Sequence, residues 1–382
     1  MMFGFGLIAV FCAFISNSAA AASAVAVGSS SSLRGAGAGA SAGADSDAAV
    51  QLVSIGDRVG YVNEWELFNG FIERFEKKYP TLEDFESRFS IFRSNVRTII
   101  SHNMDPQHNF TLGVNAFTDL SPQEFKEKYT GGWKRGAGLS AVGADGSVVA
   151  KSSCKAFTST NAPAGDTLDW TTKGAVTPVK NQGQCGSCWS FSATGAMEGA
   201  WFVHTGKLVS LSEEQLVECS KRYGNLACNG GMMDNAFQYA IDNGMCSEAA
   251  YPYTSGTGVV GSCKTCQEVV TMSSCADVAT NNQVVLKAAV SMAPVSIAIE
   301  ADTAVFQSYS GGVITSAKCG TTLDHGVLIA GYGVENGIKY WLVKNSWGAD
   351  WGLNGYVKIG RSDSTNDAGI CGVAMEASFP IV

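Results

Sequence analysis

Residues Gln182-Gly183-Gln184-Cys185-Gly186-Ser187-Cys188 run straight into Trp189-Ser190-Phe191, so a glycine-rich loop is predicted to become a helix at a cysteine. No other feature constrains the chain as strongly. First-turn amides of a helix carry partial positive charge, which favours a thiolate there and predicts a Cys188 pKa below that of a free thiol. The glycines let the backbone approach a substrate closely. A nucleophilic thiol needs a general base, a group that orients the base, and donors for the oxyanion it creates.

The chain offers four histidines as bases. His102 and His108 lie in a charged N-terminal region, and His204 lies in Trp201-Phe202-Val203-His204-Thr205-Gly206, where the Cys188 helix is expected to fray. Each reads as a surface or capping residue. His325 stands in Leu323-Asp324-His325-Gly326-Val327-Leu328-Ile329-Ala330-Gly331, an apolar run bounded by glycines that predicts a buried strand with the imidazole at its mouth. Asn345 closes the strand-like run Tyr340-Trp341-Leu342-Val343-Lys344 and offers an acceptor for the second ring N–H. The following Ser346-Trp347-Gly348 brings an indole that would shield that bond. Alone, Asn345 to Gly348 reads equally as an ordinary turn. Beside Cys188 and His325, the catalytic reading prevails.

These motifs, with Cys228-Asn229-Gly230-Gly231 and Pro294-Val295-Ser296, resemble a papain-family cysteine endopeptidase precursor of the cathepsin L type, from about Trp65 to the last residue. The 137 residues between Cys188 and His325 match the family's spacing of about 130 to 150. The resemblance implies an α+β, two-domain papain-like fold, with a helical left domain, a β-barrel-like right domain and an N-terminal α-helical inhibitory prodomain. It implies Gln182, Cys188, His325 and Asn345 as catalytic residues, with Gln182 and the Cys188 amide as oxyanion donors. Substrate would lie on Gly230, Gly231, Met232, Met233, Ala298, Leu323, Asp324 and Trp347, with Glu376 at the floor of the pocket for the second residue upstream of the scissile bond. An apolar wall favours Leu or Phe there, and the carboxylate would accept Arg.

Upstream, Trp65, Phe68, Phe71, Ile72 and Phe75 recur at helical spacing, as do Phe85, Phe89, Phe92, Val96 and Ile99. Arg88, Phe92, Asn95, Ile99 and Asn103 match the family's prodomain motif, with Asp84 where the family has Glu; the helix and its ion pair are expected to survive that change. Gly113-Val114-Asn115-Ala116-Phe117-Thr118-Asp119 matches the second prodomain motif. Further on, Ser212 and Gln215 predict a capping box, Met232 to Ala240 a helix stopped near Gly244, and Val295 to Ile299 and Tyr356 to Ile359 strands.

The domain organisation expected is a signal peptide over 1–22, an Ala/Gly/Ser-rich disordered spacer over 23–60, the prodomain over 61–130, a linker with the maturation site over 131–163, and the peptidase over 164–382. Phe3 to Ile15 is too short to span a bilayer comfortably, so a cleaved signal is expected rather than stable membrane insertion. A net charge of −8 argues against nucleic acid as a partner. Twelve cysteines point to an oxidising compartment, hence the secretory pathway, ending in a lysosome-like vacuole or outside the cell.

By resemblance, Cys185 pairs with Cys228, Cys219 with Cys263, and Cys319 with Cys371, which would leave Cys188 free. Cys246, Cys266 and Cys275 have no partner in the family pattern; Cys266 with Cys275 is the first expectation, and Cys154 falls in the segment to be removed. Two metal or redox readings stand beside this, zinc on Cys263-x-x-Cys266 and a dithiol at Cys185-x-x-Cys188. The resemblance implies no cofactor and no metal, protein and peptide substrates, the chain's own propeptide and cystatin-like inhibitors as partners, and a monomer. A papain-like transpeptidase or ligase and a catalytically silent binding relative are the alternatives.

Overall fold

The computed structural model describes residues 51–55, 58–130 and 154–382. The expected signal peptide, most of the spacer, and the linker up to residue 153 lie outside the described residues. The spacer does not run structureless to residue 60: Gln51–Ile55 pairs antiparallel with Arg58–Val62. The apolar and β-branched residues of that stretch, from Leu52 and Val53 to Tyr61 and Val62, carry the strand signal that a reading based on Ala, Gly and Ser passed over.

Two helices follow, Glu64–Arg74 and Leu82–Asn103. Asn63 caps the first by accepting from the amides of Trp65 and Glu66. Thr81 and Asp84 form a complete capping box on the second, so the Asp at position 84 serves the helix start, while Arg88 of this helix pairs with Glu124 and Arg93 and Arg97 pair with Glu64. The helices close on one another through Phe68, Phe71, Phe92 and Val96, all essentially inaccessible. Each buried Phe stabilises the pair by about 1.5–3 kcal/mol. Trp65, read as part of the apolar face, is half exposed and touches Phe85 and Phe89 edge-on.

The next layer is helical. Cys188–Thr205 is buried on all sides over its first thirteen residues, as expected of a helix at the centre of a globular half rather than on its surface. Around it pack Glu213–Cys219 and Met233–Asn243, with Met197, Leu216 and Phe237 in the shared core. Ser212 caps the Glu213 helix as predicted, but the Gln215 side chain turns inward to the Cys246 amide and the Gly244 carbonyl, so the box is only half closed.

The remaining layer is one open ten-stranded sheet. Its order is Phe110–Leu112, Tyr309–Ile314, Tyr356–Gly360, Ile338–Lys344, His325–Glu335, Val295–Ile299, Ala377–Ile381, Ser274–Val278 and Lys155–Phe157, with Leu168–Asp169 paired beside the His325 strand. The path does not close on itself into a barrel.

The Cys188 helix meets this sheet at its middle. Ser192 Oγ donates to the Val327 carbonyl at 2.7 Å and Ser296 Oγ to the Ser192 carbonyl at 2.8 Å. The approach is close at Gly326, where a Cβ would lie 3.2 Å from Trp189 Cα. Among the described residues no helix is long and apolar enough to cross a membrane.

Candidate active site

Cys188 is the first residue of its helix, and among the described residues it is the one cysteine outside a disulfide. Its Sγ accepts from the Gly326 amide at 3.3 Å, so the strand that begins at His325 lies directly against the thiol. The predicted low pKa is not what this closed state shows. Complete burial pushes the thiol up to about 12, against the bonds from the Gly326 and Trp189 amides that favour the thiolate. Desolvation outweighs the partial positive charge of the helix terminus.

His325 is also fully buried, and its burial pushes the imidazole down to about 4. Nε2 lies 2.8 Å from Asn345 Oδ1. That oxygen also accepts the Ser346 amide at 2.8 Å, which fixes the side-chain amide orientation and makes the ring nitrogen the donor. Nδ1 is then the unprotonated nitrogen, and it is buried without a hydrogen-bond partner. Trp347 stacks on the ring at 4.7 Å. The thiol and imidazole are therefore both neutral here, a consequence of excluding water from both.

Gln182 is fixed at each end of its amide. Oε1 accepts from Ser346 Oγ at 2.6 Å, and Nε2 donates to the Cys185 carbonyl at 3.0 Å and the Tyr129 carbonyl at 3.4 Å. The second contact comes from the N-terminal region. From that region Phe117 and Phe125 pack edge-on against Trp347, at 5.5 and 5.1 Å, and Tyr129 packs on both. Lys126 pairs with Asp302, next to Asp324. Burial pushes the Asp324 carboxyl up to about 8, although its Oδ1 accepts the Ala301 amide. None of Lys126, Phe125 or Tyr129 was singled out from sequence. The Pro122–Phe125 capping box was a local signal that could have marked the segment.

Met232, Met233 and Glu376 meet in a cavity of 140 Å³, together with Asp234, Asp277, Val278 and Met375. Ala298 and Leu323 do not line it. Ala298 is wholly buried and binds through its amide to the Glu376 carbonyl. Gly231 packs its backbone against Trp189, where a Cβ would lie 2.6 Å from the indole. Gly230 adopts a positive φ of 111° just before it.

His102 and His108 are not simple surface residues. Their rings stack at 3.8 Å and His102 Nε2 bonds to the Phe110 carbonyl, while His204 is exposed in the last helical turn. Beneath the site lies a buried cluster that sequence reading missed: Lys180 Nζ reaches Glu198 at 3.1 Å and Glu213 at 2.6 Å. Burial and the neighbouring Glu198 push Glu213 up to about 7, because two carboxylates share one ammonium.

Among the described residues five disulfides are present: Cys185–Cys228, Cys219–Cys263, Cys319–Cys371, Cys246–Cys266 and Cys154–Cys275. The expected Cys266–Cys275 pair is not formed. Cys246 is on the strand Met245–Cys246 and Cys266 lies two residues before its partner strand Glu268–Val270, while Cys275 faces the segment that was expected to leave. Cys263 and Cys266 are thus both oxidised, which removes the zinc reading, and Cys185 cannot form a dithiol with Cys188. Cys154, Asp234 and Asp277 place potential metal-ligand atoms within 4.8 Å of one another, but Cys154 is spent in its disulfide.

A helix-borne thiol beside an amide-oriented imidazole, both covered by an N-terminal segment of the same chain, defines the class: a thiol hydrolase in its closed precursor form. Comparison with known proteins gives the family. Residues 164–381 match the papain family of cysteine proteases and residues 68–125 the cathepsin propeptide inhibitor domain. The chain is 43% identical over 302 residues to germination-specific cysteine protease 1 of Arabidopsis thaliana, covering 78% of each. It is similar to the structure of digestive procathepsin L 3 of the Tenebrio molitor larval midgut, with a TM-score of 0.73, 37% identity, and coverage of 84% of this chain and 99% of that one. It is likewise similar to a recombinant stem bromelain precursor, with a TM-score of 0.73, 35% identity, and coverage of 84% and 99%. The chain belongs to the papain family of cysteine proteases. It is the precursor of a cysteine endopeptidase, and its propeptide is its own inhibitor.

Proposed function

We propose that peptide bonds are cut through a thioester on Cys188. The thiol proton passes to His325 Nδ1 as Sγ bonds to the substrate carbonyl carbon, and the imidazolium protonates the departing amine when the C–N bond breaks. Water then gives a proton to His325 and attacks the thioester, releasing the acid and restoring the thiol. Gln182 Nε2 and the Cys188 amide hold the oxyanion in both steps. The carrying observation is the Tyr129 carbonyl on Gln182 Nε2: a propeptide carbonyl occupies the donor a substrate oxyanion would use.

The proposed organisation is a signal peptide to residue 22, a spacer, a prodomain to Thr130, and an enzyme whose family match begins at 164. The cavity on Met232 and Met233 would take Leu or Phe at the second position upstream of the cut, and Glu376 would admit Arg. Asp324 and Trp347 border the bound chain, and Gly230 and Gly231 pair with its backbone. Five disulfides fit a monomer made in the secretory pathway and sent to a vacuole or outside the cell, where cystatin-like inhibitors would meet it.

The test is intact mass after treating acid-activated protein with an epoxide or iodoacetamide, alongside Cys188→Ala. Rapid single labelling at Cys188, absent in the variant and coupled to loss of Phe-Arg peptide cleavage, is expected. Absence of labelling together with absence of cleavage would end the proposal.

A further inference from the structure

The family match begins at residue 164, yet residues 154–157 upstream of it are built into the peptidase. Lys155–Phe157 adds a parallel edge strand to Ser274–Val278, and the Phe157 carbonyl accepts the Ala279 amide at 3.1 Å. The Phe157 ring meets Phe379 edge-on at 5.2 Å. Cys154 is bonded to Cys275, itself 1% exposed within the sheet. Asp166, at the other end of this stretch, is held by Arg361, Lys287 and Lys339 at 3.0, 3.3 and 3.4 Å. The proposed maturation point near 163 therefore falls between two anchors.

Resting on the zymogen reading above, we propose that this segment is a covalent strap that outlasts activation. Hydrolysing one peptide bond near 163 cannot free the prodomain, because the chain upstream is still joined to the enzyme through the Cys154–Cys275 bond. Release of residues up to Thr130 needs a cut N-terminal to Cys154. The active enzyme then keeps Cys154 to about residue 163 in one of two forms: as a continuous N-terminal extension, or as a second, disulfide-linked chain if the bond near 163 is also cut. The strap stays beside the substrate cavity, since Cys154 Sγ and the carboxylates of Asp234 and Asp277, both on that cavity's wall, lie within 4.8 Å of one another.

The experiment uses the full chain, acid-activated, with free thiols blocked by iodoacetamide and Cys188 occupancy counted. Intact mass is measured before and after reduction, and a non-reduced digest is searched for the Cys154 peptide linked to the Cys275 peptide. The expected result is active enzyme lacking residues 61–130 but containing the linked pair, whether reduction releases a small peptide or leaves one longer chain. Thiol-labelled enzyme that begins at 163–166 and yields no Cys154 peptide overturns the strap. Active enzyme still carrying an uncut prodomain overturns it as well. A chain that never labels at Cys188 counts against the zymogen reading instead, and the digest of that unprocessed chain still decides whether the tether exists: absence of the linked pair overturns the proposal.

Discussion

At the residue scale, Gln182 does two jobs that can be separated. In the proposed mechanism it stabilises the oxyanion, and in the precursor it holds the Tyr129 carbonyl. Gln182→Ala is expected to lower kcat/KM by about 10²–10³-fold, the cost of one oxyanion donor. Cys188 alkylation should continue in that variant, and loss of labelling would mean that the substitution disturbed the thiol instead. Glu376 gives a second prediction. Glu376→Gln should depress cleavage after an Arg-containing pair relative to a Phe-containing one, by about tenfold or more, the worth of a charge-assisted hydrogen bond of about 1.5–3 kcal/mol. An unchanged Arg-to-Phe ratio of kcat/KM would place the carboxylate outside substrate recognition. Cys188, His325 and Asn345 were expected from sequence on the chemistry of their side chains and Gln182 on the family resemblance, and the fold brings the four to one place. The aromatic and cationic residues that cover them were not expected, since Phe125, Lys126 and Tyr129 look locally like any amphipathic segment.

At the scale of elements, the prodomain depends on the Leu82–Asn103 helix being held against Glu64–Arg74 by one aromatic cluster and by the pairs of Arg93 and Arg97 with Glu64. Phe92 sits between Phe68 and Phe71 with ring centroids 5.0 and 4.8 Å away. Phe92→Ala should cost about 3–5 kcal/mol, more than a small helical domain can spare. Inhibition by the isolated propeptide added in trans should weaken accordingly while the mature enzyme's kcat/KM is unaffected, and a propeptide variant with undiminished potency would refute the packing argument. These helices were legible because their apolar residues repeat at 3.6. The hairpin of Gln51–Ile55 and Arg58–Val62 carried a β-branched signal that the neighbouring Ala/Gly/Ser tract masked, and the Lys155–Phe157 strand is too short to signal itself. A paired edge strand is specified by its partner more than by its own residues.

At the scale of the whole molecule, acid weakens the cover over the site. In the prodomain, burial lowers His102 below its ordinary value, against the Phe110 carbonyl, with His108, Asp105 and Lys318 nearby. The Arg88 hydrogen bonds hold Glu124 down at about 2. Groups with depressed pKa values stabilise above their unfolded values, and that stability is lost as pH falls. The loss starts below about 6.5 for His102 and below about 4.5 for Glu124. In the peptidase, burial raises Glu213 to about 7, so its contribution is complete in acid and lost as pH rises, while burial lowers His325 to about 4, so its contribution is lost as pH falls below about 6.5. These two oppose one another, whereas both prodomain groups lose stability in acid. Acidifying from pH 7 to 4 should therefore lower the unfolding midpoint of the prodomain. Calorimetry of the prodomain checks this, and a midpoint that holds or rises would contradict it.

The sequence by itself determined the chemistry, the order of the parts and the helices, because a nucleophile, its base and a 3.6-residue repeat are written in residue types and short spacings. Tertiary structure decided the protonation state of Cys188 and His325, which depends on water excluded by a distant segment. It also decided the partners of Cys154, Cys246, Cys266 and Cys275, which depend on which strands lie side by side. Burial and adjacency are properties of the packed chain, and no local pattern encodes them.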